Sequence, residues 1–376
     1  MAAKFPQAPD HEQDEWWRYH SDVREIMRAR DPGDDLPVDA WKQLARLGDR
    51  PRGAHCTKSC VSHFTPLLDL PPADLGGAIE AFNALATLHV AGRLHNDWYF
   101  IAYTMRLTGL YKTSDRDPTK LRPINIVAPL ADLATMAVAR DHKSFFRSKV
   151  DQHNLGLTPG GAQAFAMATQ LALEANPDLS SLAEDLINAF TSVKRKPALE
   201  FLLADDDLYH YHPAFVVALT CDSMVYTSHG QQFPFHVQSC AGFRQGEALS
   251  SVMLLLILAP ALRRFNDALG GLPDGPGCAI GFHDDLRILT KDAGDDLVPL
   301  IDDFHDDVAV FGLSFGGPDD GKTCRHDGPD ADVCHDIATR YPNVPTVAAG
   351  GKIVGHHREV GGMIVAGTPV GTALFR

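Results

Sequence analysis

The chain has 376 residues, 45% of them hydrophobic, so it is long enough to bury a core and to form two or three structural units. Its 48 acidic and 34 basic residues give a formal net charge of -14. Because phosphate contacts depend on Lys and Arg, this whole-chain charge argues against binding of nucleic acid outside locally basic regions. The N-terminal segment lacks the basic-then-apolar pattern of a signal peptide, and the longest apolar run, 252–262, is too short to span a bilayer. We therefore expect a globular intracellular protein, in either the nucleus or the cytoplasm.

The seven cysteines are an odd number scattered along a long chain, which favours reduced thiols over a disulfide framework. Cysteine and histidine are mixed in two stretches, 55–63 and 324–335. Neither stretch has the two short, similarly spaced ligand pairs that are typical of a structural zinc site. We therefore expect neither stretch to bind a metal ion.

Residues 1–105 are predicted to form a helical N-terminal extension, with one helix over 73–94 after two prolines. The segment 111–120 is rich in turn formers and charges and precedes the apolar run 124–130, a pattern that predicts a hairpin. Between residues 106 and 149 there are nine basic and four acidic residues. This local surplus of positive charge is enough to line a groove that holds phosphates.

The middle of the chain places an aspartate at the end of a predicted strand. A glycine turn at 155–161 leads into a predicted amphipathic helix over 162–174. The segment 180–186 is short and partly apolar, which indicates a strand, and 188–203 returns to helical composition. Asp185 therefore lies where this strand ends.

Two adjacent aspartates, Asp284 and Asp285, are predicted to occupy the tip of a hairpin. They follow an apolar helix predicted over 247–265 and a loop rich in glycine and proline. The segment 278–290 has apolar residues on both sides of the acidic pair, which indicates a strand, a tight turn and a second strand. These apolar flanks separate this pair from the other acidic pairs of the chain, most of which are interpreted as solvated.

The acidic turn favours a site for a cation. Like charges side by side repel and raise each other's pKa unless a cation relieves them. Carboxylate oxygens suit hard ions such as Mg²⁺, which also binds substrate phosphates. Two such ions about 4 Å apart serve phosphoryl transfer and need carboxylates from at least two chain segments. Asp185 is the natural second source beside Asp284 and Asp285.

Seven segments then follow one another in a characteristic order: 120–124 (KLRPI), 152–161 (QHNLGLTPGG), 183–190 (AEDLINAF), 242–249 (GFRQGEAL), 282–285 (FHDD), 311–315 (FGLSF) with Lys322, and 367–371 (GTPVG). In this order they resemble the reverse transcriptase domain of non-LTR retrotransposons, over roughly residues 110–373. The match at 183–190 is the most specific. Two departures stand beside the matches, because Ala248 replaces the usual proline after Glu247 and an insertion over 316–321 precedes Lys322.

The resemblance implies an α+β fold, namely the fingers and palm of a right-hand polymerase with an antiparallel palm sheet flanked by helices and an N-terminal helical extension. The implied domains are the extension over 1–105, fingers over 106–175 and palm over 176–376. A thumb, an endonuclease and an RNase H are expected to be absent, so that the chain would be truncated before the thumb.

The implied activity is that of an RNA-directed DNA polymerase, a nucleotidyltransferase that adds deoxynucleotides to a primer 3'-hydroxyl by two-metal phosphoryl transfer. Asp185, Asp284 and Asp285 would be the catalytic residues and would bind two Mg²⁺ ions, for which Mn²⁺ is a possible substitute. The implied partners are an RNA template, a DNA primer and deoxynucleoside triphosphates, with no membrane, and the oligomeric state is left open.

The resemblance also implies a nucleotide-binding set. Lys120 and Arg122 would neutralise the triphosphate, and the ring of Phe190 would exclude a ribose 2'-hydroxyl. Gln245 and Gly246 would let template and nucleotide approach the backbone closely. Lys322 is either the general acid for the leaving pyrophosphate or an exposed loop lysine.

Two alternatives remain open at this point. The first is a catalytically inactive nucleic-acid-binding remnant of a retrotransposon, which would bind without extending a primer and which the acidic net charge favours. Against it, all three candidate catalytic aspartates are present. The second is an RNA-templated RNA polymerase, which shares the acidic turn but fits Phe190 and the segment 244–246 poorly.

Overall fold

A computed structural model describes residues 10–48, 60–111, 121–221, 224–227, 236–238, 241–291, 296–317, 323–327, 334–342, 346–347, 353–355, 362–365 and 368–371. The fold is mixed helix and sheet, with many helices and small, mainly antiparallel sheets, so the α+β class is confirmed. The chain forms two compact units: the first consists of Met1–Ser144 and Phe190–Leu254, and the second of Phe145–Ala189 and Leu255–Arg376.

The helices are α1 (Asp10–Arg28), α2 (Ala40–Leu47), α3 (Pro72–Val90), α4 (Asn96–Tyr103), α5 (Pro129–Asp141), α6 (Lys143–Lys149), α7 (Gly161–Ala175), α8 (Ala189–Ser192), α9 (Arg195–Leu203), α10 (His212–Thr220), α11 (Ala248–Leu269), α12 (Leu297–Ala309) and α13 (His335–Arg340). The strands are β1 (Met105–Tyr111), β2 (Leu121–Ile126), β3 (Ser180–Asp185), β4 (Met224–Thr227), β5 (His236–Gln238), β6 (Cys278–Phe282), β7 (Asp285–Thr290), β8 (Arg325–Asp327), β9 (Thr346–Val347), β10 (Ile353–Gly355), β11 (Gly362–Val365) and β12 (Thr368–Gly371).

The first unit joins the N-terminal helices to a four-stranded sheet in the order β2-β1-β4-β5. Strand β1 pairs antiparallel with β2, as the predicted hairpin requires, and parallel with β4. The residues between β1 and β2, including Lys120, lie outside the described part of the chain. The described part of 1–105 is helical apart from short turns, which confirms the predicted N-terminal helices.

A fully buried histidine organises the N-terminal helices of the first unit. The indole N–H of Trp98 donates to His89 Nδ1 at 2.9 Å, and His89 Nε2 lies 3.3 Å from the hydroxyl of Tyr103. Because an indole can only donate, Nδ1 accepts, and Nε2 therefore carries the hydrogen and donates to Tyr103. Burial lowers the pKa of His89 to about 3, so the ring stays neutral and serves as a polar part of the core.

The second unit is built on an antiparallel sheet in the order β6-β7-β3-β8. Its centre is apolar, since Leu182 on β3 and Ile288 on β7 are fully buried and face each other in register. Helix α12 turns an apolar stripe inward, with buried residues at the three- and four-residue spacing of a helix: Leu297, Ile301, Phe304 and Val308. The Phe304 ring stacks on Phe265 with their centroids 4.7 Å apart.

Most predicted elements are confirmed, but the helix predicted over 188–203 is wrong as a single helix. It consists of α8 and α9, with Val193 and Lys194 between them. The carbonyl of Val193 accepts a hydrogen bond from the Gly242 N–H at 2.9 Å, so it is bonded outside the helix. This contact is distant in sequence, and helical composition therefore did not indicate the break.

The apolar run 252–262 lies in the long apolar helix that the sequence predicts over 247–265. Helix α11 has 22 residues and is long and apolar enough to cross a membrane by length and composition. However, 72% of its most apolar window is buried inside the protein, as in the core helix of a globular fold. No other helix within the described ranges passes the same test.

The two compact units do not follow the predicted linear division at 105/106 and 175/176. Each unit takes two separate stretches of chain, and the boundary at 105/106 falls inside the first unit, at the start of β1. The boundary at 175/176 falls inside the second unit, between α7 and β3. The assignment of these parts to fingers and palm stays a prediction.

Candidate active site

The second unit brings Asp185 and Asp285 face to face. Asp185 is the last residue of β3 and Asp285 the first of β7, and the antiparallel register pairs them directly. Opposite residues of such a ladder have Cα atoms about 4.5–5.5 Å apart. Strand β3 is buried along its length up to Asp185, so its apolar residues fix the register that places this carboxylate at the end of the sheet.

Asp284 lies in the turn of the hairpin formed by β6 and β7, as the sequence predicts. Phe282 and Asp285 form the last pair of the ladder, and His283 and Asp284 are the two residues between them. His283 has a φ of 57°, a left-handed value that a two-residue hairpin turn requires and that residues other than glycine seldom adopt. The carbonyl of Asp284 accepts from the Leu186 N–H at 3.3 Å, which ties the turn to the end of β3.

The electrostatics of the site reflect three carboxylates in close proximity. The pKa of Asp285 is raised to about 6, first by desolvation, then by the negative charges of Asp284 and Asp185 and by a hydrogen bond with Asp185, while Arg287 acts in the opposite direction. Asp285 lies at the exposed end of the sheet, where the charges of Asp284 and Asp185 act on it. This turn therefore concentrates negative charge that a cation would relieve.

The segment 311–315 supports Asp185 from the side opposite the hairpin. The Asp185 carbonyl accepts from the Gly316 N–H at 3.0 Å, and the Ile187 N–H donates to the Ser314 carbonyl at 2.8 Å. Leu186 and Phe315 form an isolated antiparallel bridge. Two of the seven segments thus meet at Asp185. Lys322, which follows this segment, lies outside the described residues.

A buried network that the sequence did not indicate lies on the other face of β3. The Glu184 side chain is 2% exposed and accepts hydrogen bonds from the Tyr341 hydroxyl and from His305 Nε2, the latter at 3.1 Å. Burial raises the pKa of Tyr341 well above its usual value, and the Glu184 carboxylate adds to the increase. This network anchors the strand that ends in Asp185. His305 and Tyr341 are both more than one hundred residues away from Glu184 in sequence, which explains why no local pattern predicts the network.

The predicted nucleotide-binding residues belong to the first unit, except Lys120, which lies outside the described residues. Arg122 lies on β2, opposite Leu110. The carbonyl of Gln245 accepts from the Asn125 N–H at 2.8 Å, so the turn at 242–247 is held against the end of β2. Gln245 is half-buried and Gly246 is exposed.

Glycine is required at position 246 in this unit. Gly246 has a φ of 112°, and a Cβ there would lie 2.9 Å from the carbonyl oxygen of Asn125.

Phe190 is half-buried, and its carbonyl accepts a hydrogen bond from the Phe243 N–H. The backbone of Phe190 therefore contacts the same turn that carries Gln245 and Gly246.

Arg244, which belongs to the same segment, is fully buried and holds the turn in place. Its guanidinium donates to the carbonyls of Ala218 and Cys221 and lies 4.3 Å from the centre of the Tyr103 ring. Its Nη1 is 3.7 Å from Glu247 Oε2. Burial raises the pKa of Glu247 to about 7, with Arg244 acting in the opposite direction. This buried pair is a structural feature that the sequence did not distinguish from a ligand contact.

Within the described part of the chain, no group of three or more His, Cys, Asp or Glu side chains is arranged as a ready-made metal site. The three aspartates therefore approach one another without forming a closed set of ligands, and Asp185 and Asp285 share a hydrogen bond instead. No protein-family model matches the chain, and no curated protein matches it.

Proposed function

We propose that this chain is an RNA-directed DNA polymerase of the reverse transcriptase type, which extends a primer with deoxynucleotides. The observation that carries the proposal is the register that sets Asp185 opposite Asp285, with Asp284 in the adjoining turn. Carboxylates from two chain segments at one edge of a sheet are what a pair of divalent ions needs. The seven-segment resemblance supports the choice of a polymerase among phosphoryl-transfer enzymes.

The residues present fit Mg²⁺ by their chemistry. All three donors are carboxylates, which hard cations prefer, and after desolvation the negative charges of Asp284 and Asp185 contribute to the raised pKa of Asp285. When bound, two Mg²⁺ ions would activate the primer hydroxyl and stabilise the leaving pyrophosphate.

In this proposal the other residues bind and orient the substrates. Lys120 and Arg122 neutralise the triphosphate, where positive groups stabilise charge that develops during transfer. The Phe190 ring discriminates against ribonucleotides. Gln245 and Gly246 let template and nucleotide approach the backbone closely. Lys322 protonates the pyrophosphate.

The test is Mg²⁺-dependent extension of a DNA primer on an RNA template, with the wild type, Asp284→Ala and Asp303→Ala run side by side. Asp303 is a matched control, because it lies on the exposed face of α12 in the same unit and its replacement removes the same charge. We expect extension by the wild type and Asp303→Ala but not by Asp284→Ala.

The alternative outcomes each identify a rival function. Binding of the primer and template without extension by the wild type would support the inactive nucleic-acid-binding remnant. Efficient incorporation of ribonucleotides on the same template would support an RNA-templated RNA polymerase. Equal extension by wild type and Asp284→Ala would overturn the assignment of the catalytic aspartates.

A further inference from the structure

The turn that carries Asp284 is held by the side chain of Asn154, which is 7% exposed. Asn154 Nδ2 donates to the His283 carbonyl at 3.1 Å, and Asn154 Oδ1 accepts from the His283 N–H at 3.2 Å. One amide group therefore binds both backbone polar groups of the residue that precedes Asp284. Asn154 Oδ1 also accepts from the Gly156 N–H at 3.0 Å, which fixes the orientation of the amide.

The backbone around Asn154 runs beside the hairpin in the manner of an added strand. The carbonyl of His153 accepts from the Gly281 N–H at 2.9 Å, and Asn154 forms an isolated parallel bridge with Gly281. Space between the two segments is small, because a Cβ on Gly281 would lie 3.1 Å from Asn154 Nδ2. A Cβ on Gly156 would likewise lie 3.0 Å from His283 Nδ1.

The residue held in this way is under backbone strain. His283 has a φ of 57°, and such a conformation persists only where the surroundings impose it. If the His283 peptide rotates, the carboxylates of Asp284 and Asp285 turn with it, because they are the next two residues. A small error in the direction of a metal ligand lowers metal affinity and catalytic rate at a metal-dependent centre.

We propose that Asn154 is a positioning residue of the active centre: its amide holds the His283 backbone and thereby aims Asp284 and Asp285 at the site they share with Asp185. This inference rests on the proposed polymerase function. An amide is required, since an aspartate at 154 would set a carboxylate oxygen against the His283 carbonyl, where Nδ2 now donates.

The chain contains a matched control, Asn266 of α11, which binds the backbone near the other end of β6. Asn266 binds both backbone groups of Ala279, with Oδ1 2.7 Å from the Ala279 N–H nitrogen and Nδ2 3.0 Å from its carbonyl oxygen. Asn154 and Asn266 thus make the same double contact, one at the turn and the other near the start of β6. Replacing either with aspartate removes a comparable set of hydrogen bonds, but only the first affects the turn.

The experiment compares Asn154→Asp, Asn154→Ser and Asn266→Asp with the wild type in the full chain. Three quantities are measured: the melting temperature, the binding of Mn²⁺ by electron paramagnetic resonance, and primer extension as a function of Mg²⁺ and deoxynucleotide concentration. For both Asn154 variants we expect Mn²⁺ affinity and kcat to fall about 10- to 100-fold, as for residues that orient metal ligands. The nucleotide KM should change little, and Asn266→Asp should keep wild-type Mn²⁺ binding and kcat at a similar melting temperature.

The outcomes separate this inference from the function on which it rests. If the wild type neither binds Mn²⁺ nor extends a primer, the proposed function fails and the inference fails with it. If the wild type does both and the Asn154 variants match Asn266→Asp, only the positioning role is overturned. If both Asn154 variants fail to fold while Asn266→Asp folds, Asn154 is a folding residue, which also overturns the positioning role.

Discussion

The acidic turn of the second unit and the Arg244–Glu247 turn of the first unit carry charge in opposite ways. At the acidic turn, desolvation raises the pKa of Asp285, and repulsion by Asp284 and Asp185 raises it further. At the other turn, Arg244 and Glu247 are both buried and attract each other across 3.7 Å. Like charges that repel at the edge of a sheet favour the binding of a cation. A buried pair of opposite sign is already compensated and needs no cation. The comparison shows that two motifs of equal interest in the sequence have opposite electrostatic environments.

The largest effect that would test the comparison is expected at Asp185. Asp185→Asn keeps the shape of the side chain but removes a ligand and a repelling charge. We expect primer extension to fall about 10³-fold or more, because metal-assisted charge stabilisation contributes several kcal/mol to the transition state. The free energy of unfolding, measured with urea, should stay the same or rise. Activity above one tenth of wild type would contradict a ligand role.

At the buried pair, the main effect is expected on stability. Arg244→Met leaves the Glu247 carboxylate buried without its partner, and we expect the free energy of unfolding to fall by about 3–5 kcal/mol. The double variant Arg244→Met with Glu247→Leu should regain most of this loss, because no buried charge remains. Urea denaturation of the three proteins measures both changes. A loss below about 1 kcal/mol in the single variant would argue against a structural pair.

A smaller effect is expected in the pH dependence of stability. Burial raises the pKa of Glu247 to about 7 in the folded protein, above its value of 4.5 when exposed. The folded state therefore binds this proton more tightly, so the contribution is fully present below pH 4.5 and is lost as the pH rises through 7. We expect this contribution to be about 3 kcal/mol and to be absent in Glu247→Gln. Melting temperatures of both proteins from pH 5 to pH 8 measure the difference. Identical slopes would show that Glu247 does not titrate in this range.

Local patterns in the sequence predicted the elements of the candidate site well. The apolar residues on both sides of Asp284 and Asp285 predicted the hairpin, and the short, partly apolar segment 180–186 predicted the strand that ends at Asp185. These predictions succeeded because a tight turn and a short strand are specified by neighbouring residues. The helix over 188–203 was predicted less well, since the break at Val193 depends on a contact with Gly242.

The sequence by itself therefore determined the acidic turn, the strand carrying Asp185 and most helices. Only the tertiary structure decided the register that sets Asp185 opposite Asp285 and the double hydrogen bond of Asn154 to His283. It also decided the burial of Arg244 with Glu247. Each of these three features depends on packing against elements far away in the chain or on exclusion of solvent. Packing and solvent exclusion cannot be inferred from the order of neighbouring residues.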